Sequence, residues 1–300
     1  MRRDVTFTSQ GLRCAGWLYV PDALPAGQRL PAIVMANALS SVKEIYLSNY
    51  AKRFLAAGFV TLVFDYRYFG ASEGEPRGQM FPYEQQEDIR NAITWISDQP
   101  EVDSNRIGGW GMSYGGAHMM YLAAYDKRLT AVVATVPSMN NWETFVRNMG
   151  SEGLAQFLGF LTQDRIARYK TGVVNYMKVV TTEAEPSMIP GLEAYEFYTQ
   201  AANTIAPYWH NQVTLESLEK AVEYNPTSPI HLISPTPLLM VVSKDDQYIP
   251  SELTTAAYER ALEPKDLIIL PCSHIDVYNT EPWVSKAADE AVKWFKQHLG

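Results

Sequence analysis

Apolar and polar side chains alternate over residues 4–8 and again over 12–20, which places them on opposite faces of an extended strand. Gln10-Gly11 between the two runs and Pro21-Asp22 after them are turn formers, so the pattern predicts a hairpin. The grammar then changes. Short continuous apolar runs occupy 32–36, 60–64, 107–110 and 131–136, with helical stretches between them at 45–57, 85–96 and 113–124. Strands that are apolar throughout are covered on both faces, and their alternation with helices predicts a parallel, doubly wound sheet. Gly58 falls just past the first helix, where a left-handed terminating residue is expected.

From Ser138 to about Asn225 the strand signal stops. Helical periodicity persists at 154–174 and 195–205, and aromatic residues are spread along the stretch: Phe157, Phe160, Tyr169, Tyr176, Phe197, Tyr208 and Trp209. Strand grammar resumes at 238–242, followed by a helix at 253–261, a strand at 267–270 and a last helix at 284–298. The expected architecture is α/β, a doubly wound, mostly parallel sheet formed by 1–137 and 226–300. An all-helical cap would be inserted at 138–225. No internal repeat or low-complexity linker divides the chain.

Composition narrows the class. The chain has 300 residues, 47% of them hydrophobic, ample for a sizeable core; 19% are charged, too apolar a balance for disorder. The formal net charge is −8 and no run of Lys or Arg stands out, so nucleic acid and anionic membrane are disfavoured as partners. Two distant cysteines, Cys14 and Cys272, do not suggest a disulfide framework and exclude a zinc site built on cysteine pairs. Met1-Arg2-Arg3 runs directly into the first strand pattern with no apolar signal core, and no window is long enough to span a bilayer. A cytoplasmic location is expected.

The strongest chemical signal is Gly109-Trp110-Gly111-Met112-Ser113-Tyr114-Gly115-Gly116, which follows the run ending in Arg106-Ile107-Gly108 and opens a helix. A serine at so tight a strand-to-helix turn is forced into a strained backbone, and its neighbours two residues away must lack bulk. Gly111 and Gly115 meet that need, and the helix behind Ser113 offers partial positive charge to an oxyanion. Such a turn requires a base, with the acid and then the histidine following the serine in the chain.

Of the five histidines, His118 lies on the same helix and reads as structural, His298 is near the terminus, and His210 and His231 lie in or near the insertion. His274 alone follows the last strand directly, in a loop at its carboxyl end, where functional residues gather in open α/β sheets. The acid belongs after the preceding strand, where Asp245 and Asp246 are both available; Ser243 in the small position three residues earlier favours Asp246. Two backbone donors complete the expectation: Tyr114, next to the nucleophile, and Leu39 in the loop Asn37-Ala38-Leu39-Ser40-Ser41. Asn37-Ala38 replaces the usual His-Gly pair there, which a backbone donor does not need.

Together these segments resemble the α/β-hydrolase superfamily. More narrowly they resemble its dienelactone-hydrolase-like group, which includes polyketide transferases and thiohydrolases of biosynthetic clusters. The matching stretches are Val42-Lys43-Glu44, Phe64-Asp65-Tyr66-Arg67-Tyr68-Phe69-Gly70-Ala71-Ser72-Glu73-Gly74, the turn around Ser113, Ser234-Pro235-Thr236-Pro237-Leu238-Leu239-Met240 and His274-Ile275-Asp276-Val277-Tyr278. The likeness covers most of the chain except 150–201. It implies a triad of Ser113, Asp246 and His274, with Cys272 packing where such loops often carry glycine.

The expected activity is cleavage of an ester or thioester through an acyl-Ser113 intermediate, as a hydrolase or an acyltransferase of secondary metabolism. The substrate would be a small acyl compound, free or carrier-bound, with no metal or organic cofactor, and a homodimer is an open possibility. Aromatic residues in the insertion suit a bulky apolar acyl group, and equally suit the insertion's own core. Two other classes stay open: a non-catalytic binding protein on the same fold, and a lyase or cyclase in which His274 is the base and Ser113 only hydrogen-bonds.

Overall fold

Arg2–Ser9 (β1) and Leu12–Tyr19 (β2) pair antiparallel across Gln10 and Gly11, whose φ values of 49° and 81° match a hairpin turn. β2 continues antiparallel onto Val60–Phe64 (β4), and every later pairing in the main sheet is parallel. The remaining strands are Leu30–Ala36 (β3), Val102–Met112 (β5), Leu129–Thr135 (β6), Leu238–Ser243 (β10) and Lys265–Leu270 (β11). They form one eight-stranded sheet in the order β1-β2-β4-β3-β5-β6-β10-β11. The chain is thus of the α/β class with a mostly parallel sheet. The computed structural model describes residues 1–182 and 185–300.

Helices Leu47–Ala56 (α1) and Trp283–Leu299 (α9) pack together on one face; Pro82–Ser97 (α2) and Tyr114–Tyr125 (α3) cover the other. The apolar runs predicted for β3, β4 and β6 are buried along nearly their whole lengths, as strands sandwiched between helices must be. Trp110 of β5 anchors the α1/α9 side: its ring lies 4.5 Å from Tyr50 and 6.0 Å from Phe54, and Phe54 meets Phe295 edge-on at 5.7 Å. The second helix begins at Pro82, three residues before the periodicity becomes legible, because proline at the first helical position needs no N–H partner.

After β6 the chain leaves the sheet, and it returns at β10, the neighbouring strand. This excursion holds Asn141–Thr171 (α4), broken by Gly150 at φ 73° and ψ 166°, then Leu192–Thr204 (α5) and Leu215–Glu223 (α6). Thr214 caps α6 by accepting from the Ser217 amide. The expectation of an all-helical insertion is corrected here. Tyr176–Thr181 (β7), Ser187–Pro190 (β8) and Val213–Thr214 (β9) form a small three-stranded sheet. β7 is exposed or half-exposed over 176–178 and buried over 179–181 instead of alternating, and β8 and β9 have only four and two residues, so no period of two develops in the sequence. Beyond β10 come Ser251–Arg260 (α7) and the single turn Asp276–Asn279 (α8). No helix among the described residues is long and apolar enough to cross a membrane.

Candidate active site

β5 ends at Met112 and α3 starts at Tyr114, so Ser113 alone makes the turn, at φ 50° and ψ −113°. That conformation is costly for a residue with a side chain, and the turn's surroundings explain how it is held. The Ser113 amide donates to Thr135 O of β6 at 2.9 Å, and its carbonyl accepts from Ala117 and Ser138 at 3.0 and 3.1 Å. A Cβ on Gly111 would sit 2.2 Å from Gly115 O, and one on Gly115 would sit 2.2 Å from Ala36 O. Glycine is needed at both places because backbone passes directly against them.

His274 lies in the loop between β11 and α8. Its Nε2 is 3.1 Å from Ser113 Oγ and its Nδ1 is 2.7 Å from Asp246 Oδ2. Both the imidazole and the Asp246 carboxylate are about 6% exposed. The other Asp246 oxygen accepts the amides of Tyr248 and Ile249 at 2.9 and 2.8 Å, which pins the carboxylate toward the ring. Asp245 is exposed, and its amide donates to Cys272 O at 3.2 Å. Ser273 steadies the histidine loop by giving its amide to Asp276 Oδ2 and accepting the Asp276 amide at its own hydroxyl. With Asp246 accepting at Nδ1–H, the lone pair of Nε2 faces the serine hydroxyl, the arrangement a base needs.

Leu39 and Tyr114 line the same cavity as Ser113 and His274. Tyr114 is the first residue of α3, where an amide has no intrahelical acceptor, and the Leu39 amide has no acceptor among the described residues. Asn37 is fully buried and ties the loop down by donating Nδ2 to Phe64 O. Below it Lys43 Nζ bridges Asp65 Oδ2 and Glu44 Oε1 at 2.7 Å each, and Asp65 also accepts the Lys43 and Ala71 amides. This buried ion cluster fastens the loop after β3 to the loop after β4.

The cavity encloses about 360 Å³ between the sheet's carboxyl edge and the excursion. Of the seven aromatic residues that suit either a bulky acyl group or the insertion's own core, none lines it; Phe197 and Trp209 are buried, while Tyr169 is 91% exposed. The aromatic wall is made instead by Tyr114, Phe145, Tyr198, Tyr248 and Tyr278. Tyr248 stands edge-on to the His274 ring at 5.4 Å, and burial with Glu193 and Asp246 nearby pushes its phenol up to about 12. Asn141, Thr144, Phe145 and Asn148 form a polar and aromatic stripe on one face of α4. Their spacing of three, four and seven marks one helical face, which lies outside the helix expected at 154–174.

His118 points away from this cavity. Its Nε2 is 3.0 Å from Gln85 Oε1 and its Nδ1 3.0 Å from the Tyr224 hydroxyl, inside the core. Burial pulls its pKa down to about 3, so it stays neutral at physiological pH. Cys272 is buried with its thiol pushed up by burial, and it packs beside Ser243.

The family described as X-Pro dipeptidyl-peptidase (S15 family) matches residues 10–276. The chain belongs to this S15 family of α/β hydrolases. Among S15-like relatives, the polyketide transferase grgF of a Penicillium species is 32% identical over 271 residues, 90% of this chain and 87% of that one. The thiohydrolase aneE of Aspergillus aculeatus is 29% identical over 86% of this chain and 81% of its own length. The crystal structure of the α/β hydrolase GrgF from Penicillium sp. sh18 superposes with a TM-score of 0.83 at 29% identity, covering 100% of this chain and 99% of that one. The protein is a hydrolase-fold relative of polyketide transferases and thiohydrolases.

Proposed function

We propose that this S15-family protein cleaves ester or thioester bonds through a covalent acyl-Ser113 intermediate. The observation that carries the reading is the continuous hydrogen-bonded line from Asp246 through His274 to Ser113, at 2.7 and 3.1 Å, opening into a cavity. In the first step His274 takes the Ser113 proton as the hydroxyl attacks the carbonyl carbon. The oxyanion rests on the amides of Leu39 and Tyr114, and the strained turn at Ser113 keeps the nucleophile and the Tyr114 amide on the same side of the carbonyl. His274 then protonates the leaving alcohol or thiol. Water releases the acid, or a second hydroxyl or amine takes the acyl group and the enzyme is a transferase. In this reading segment 138–225 is the cap, and the acyl chain is polyketide-like, as the name of the grgF relative suggests.

A dipeptidyl-peptidase activity is disfavoured by the chemistry of the wall. Capturing a peptide's free α-ammonium calls for a carboxylate beside the reacting serine, and no Asp or Glu lines the cavity among the described residues. Intact-mass spectrometry tests the proposal. Incubation with a fluorophosphonate, and separately with short and long acyl thioesters, is expected to add one label to the protein, mapping to Ser113 and missing from Ser113→Ala. Folded wild-type protein that takes no label would sink the acyl-enzyme and leave a binding role. Full turnover by Ser113→Ala, with loss in His274→Ala, would move the chemistry to a lyase or cyclase.

A further inference from the structure

The loop that carries the Leu39 amide is a tight turn. Ser41 N donates to Ala38 O at 3.1 Å, and Ser40, in the third position, has a φ of 52°, a value usually left to glycine or asparagine. In a trans peptide the carbonyl and the following N–H point in opposite directions. Closing the turn through Ala38 O therefore aims the Leu39 N–H away from Ser41. Besides the Asn37 tie to β4 next to it, the turn is held by two contacts from outside the main sheet. The Tyr198 hydroxyl, on α5, donates to Leu39 O at 3.0 Å, and Trp209 Nε1 donates to Ser40 O at 3.0 Å. The two rings stack at 5.2 Å with planes 21° apart, and both residues are buried, at 3% and 7% exposure. Two successive carbonyls of one turn are thus held by a single aromatic pair belonging to the excursion.

We infer that Tyr198 and Trp209 are positioning residues for the oxyanion-binding amide of Leu39, so that the excursion sets the geometry of the hole besides covering the cavity. This rests on the acyl-enzyme reading above. α5 holds the other side of the site too. Glu193 Oε1 accepts from the Ser273 hydroxyl at 2.7 Å, next to His274, and Phe197 packs edge-on against Tyr278 at 5.1 Å. One helix therefore touches both the base loop and the oxyanion loop, and its register fixes the gap between them.

The test uses Tyr198→Phe and Trp209→Phe in the full chain, with p-nitrophenyl butyrate as probe. Tyr198→Phe deletes one oxygen and keeps the stacked ring. We expect kcat to fall about tenfold with KM within about twofold, less than the roughly 100- to 1000-fold loss when an oxyanion donor is itself removed. The pH midpoint of kcat/KM should not move, since His274 and Asp246 are untouched. Trp209→Phe should give a similar loss, and the double variant less than the product of the two, because both side chains hold one turn. Trp209→Phe decides alone if Tyr198→Phe does not fold. Unchanged kcat in the folded variants, or a raised KM at constant kcat, overturns the inference, the latter by making Tyr198 a substrate contact. Those results leave the acyl-enzyme standing if wild type is labelled at Ser113; wild type without label or turnover removes both.

Discussion

Asp245 and Asp246 are adjacent in sequence and equivalent in chemistry, yet only Asp246 reaches the imidazole, because its second oxygen is captured by the Tyr248 and Ile249 amides. Asp246→Asn should leave the geometry nearly intact while presenting an amide that favours the wrong tautomer of His274, lowering kcat by about 10⁴-fold. Asp245→Asn should stay within about twofold, and parallel kinetics on the two variants check the distinction. Ser113 was legible because its constraint is local, two glycines and a strand-to-helix turn. His274 was legible because few histidines follow a strand. The proposed donor at Leu39 is harder to read, since a backbone amide leaves no side-chain signature. His118 shows what sequence does not reveal: the depth of a helical histidine. Its pKa is depressed in the folded state, so its contribution to stability is present above the unfolded value of 6.5 and is lost as pH falls toward 3. The unfolded chain takes up a proton there that the folded chain does not, costing up to about 1.4 kcal/mol per pH unit. His118→Gln should flatten that part of the acid limb, as urea unfolding at pH 7, 6 and 5 would show. A wild-type slope retained in the variant would assign the acid sensitivity elsewhere.

At the scale of elements, the inner strands β3, β4 and β6 could be read from their apolar runs because helices bury both faces, and the hairpin from its alternation because it carries one solvated face. The small sheet of the excursion escaped notice for the converse reason: β7 is half-exposed and β9 is two residues long, so neither pattern develops. Helix α4 read as starting near 154, whereas it starts at Asn141, because Gly150 breaks it and its first turns are largely exposed. Glycines in these elements differ sharply in what they do, which gives a paired test. Gly115→Ala would drive a methyl group into Ala36 O at 2.2 Å, so the turn or the end of β3 must shift, costing about 1–3 kcal/mol and most of the activity. Gly159→Ala, on α4 with nothing within 4 Å, should instead stabilise the protein by about 0.5–1 kcal/mol. Urea midpoints moving in opposite directions would bear this out; a Gly115→Ala protein with wild-type midpoint and rate would mean the close approach is not obligatory.

For the molecule as a whole, the informative feature is where charge is absent. The chain carries 58 charged side chains by its Lys, Arg, Asp and Glu content, 25 basic and 33 acidic, yet none of them lines the 360 Å³ cavity among the described residues. Polar groups there are neutral: Ser138, Asn141, Thr144, Asn148 and Gln247 on one side, tyrosine hydroxyls on the other. An acyl chain entering this space gives up water and finds hydrogen-bonding partners without a counter-ion. A neutral, oxygen-bearing chain loses little by that exchange, whereas a carboxylate loses its hydration with no cation to replace it. The surface, at a net charge of −8, repels an anion further before it arrives. The enzyme should therefore discriminate against a p-nitrophenyl hemisuccinate relative to the butyrate ester by at least about tenfold in kcat/KM, or roughly 1.4 kcal/mol. Enlarging the cavity should not relieve this penalty. Phe145→Ala, which removes the ring stacked on Phe157 at 5.8 Å, should raise kcat/KM for an octanoyl ester relative to an acetyl ester while leaving the succinyl ester poor. Equal rates on butyrate and hemisuccinate would overturn this, because they would require an anion to find a partner in the cavity.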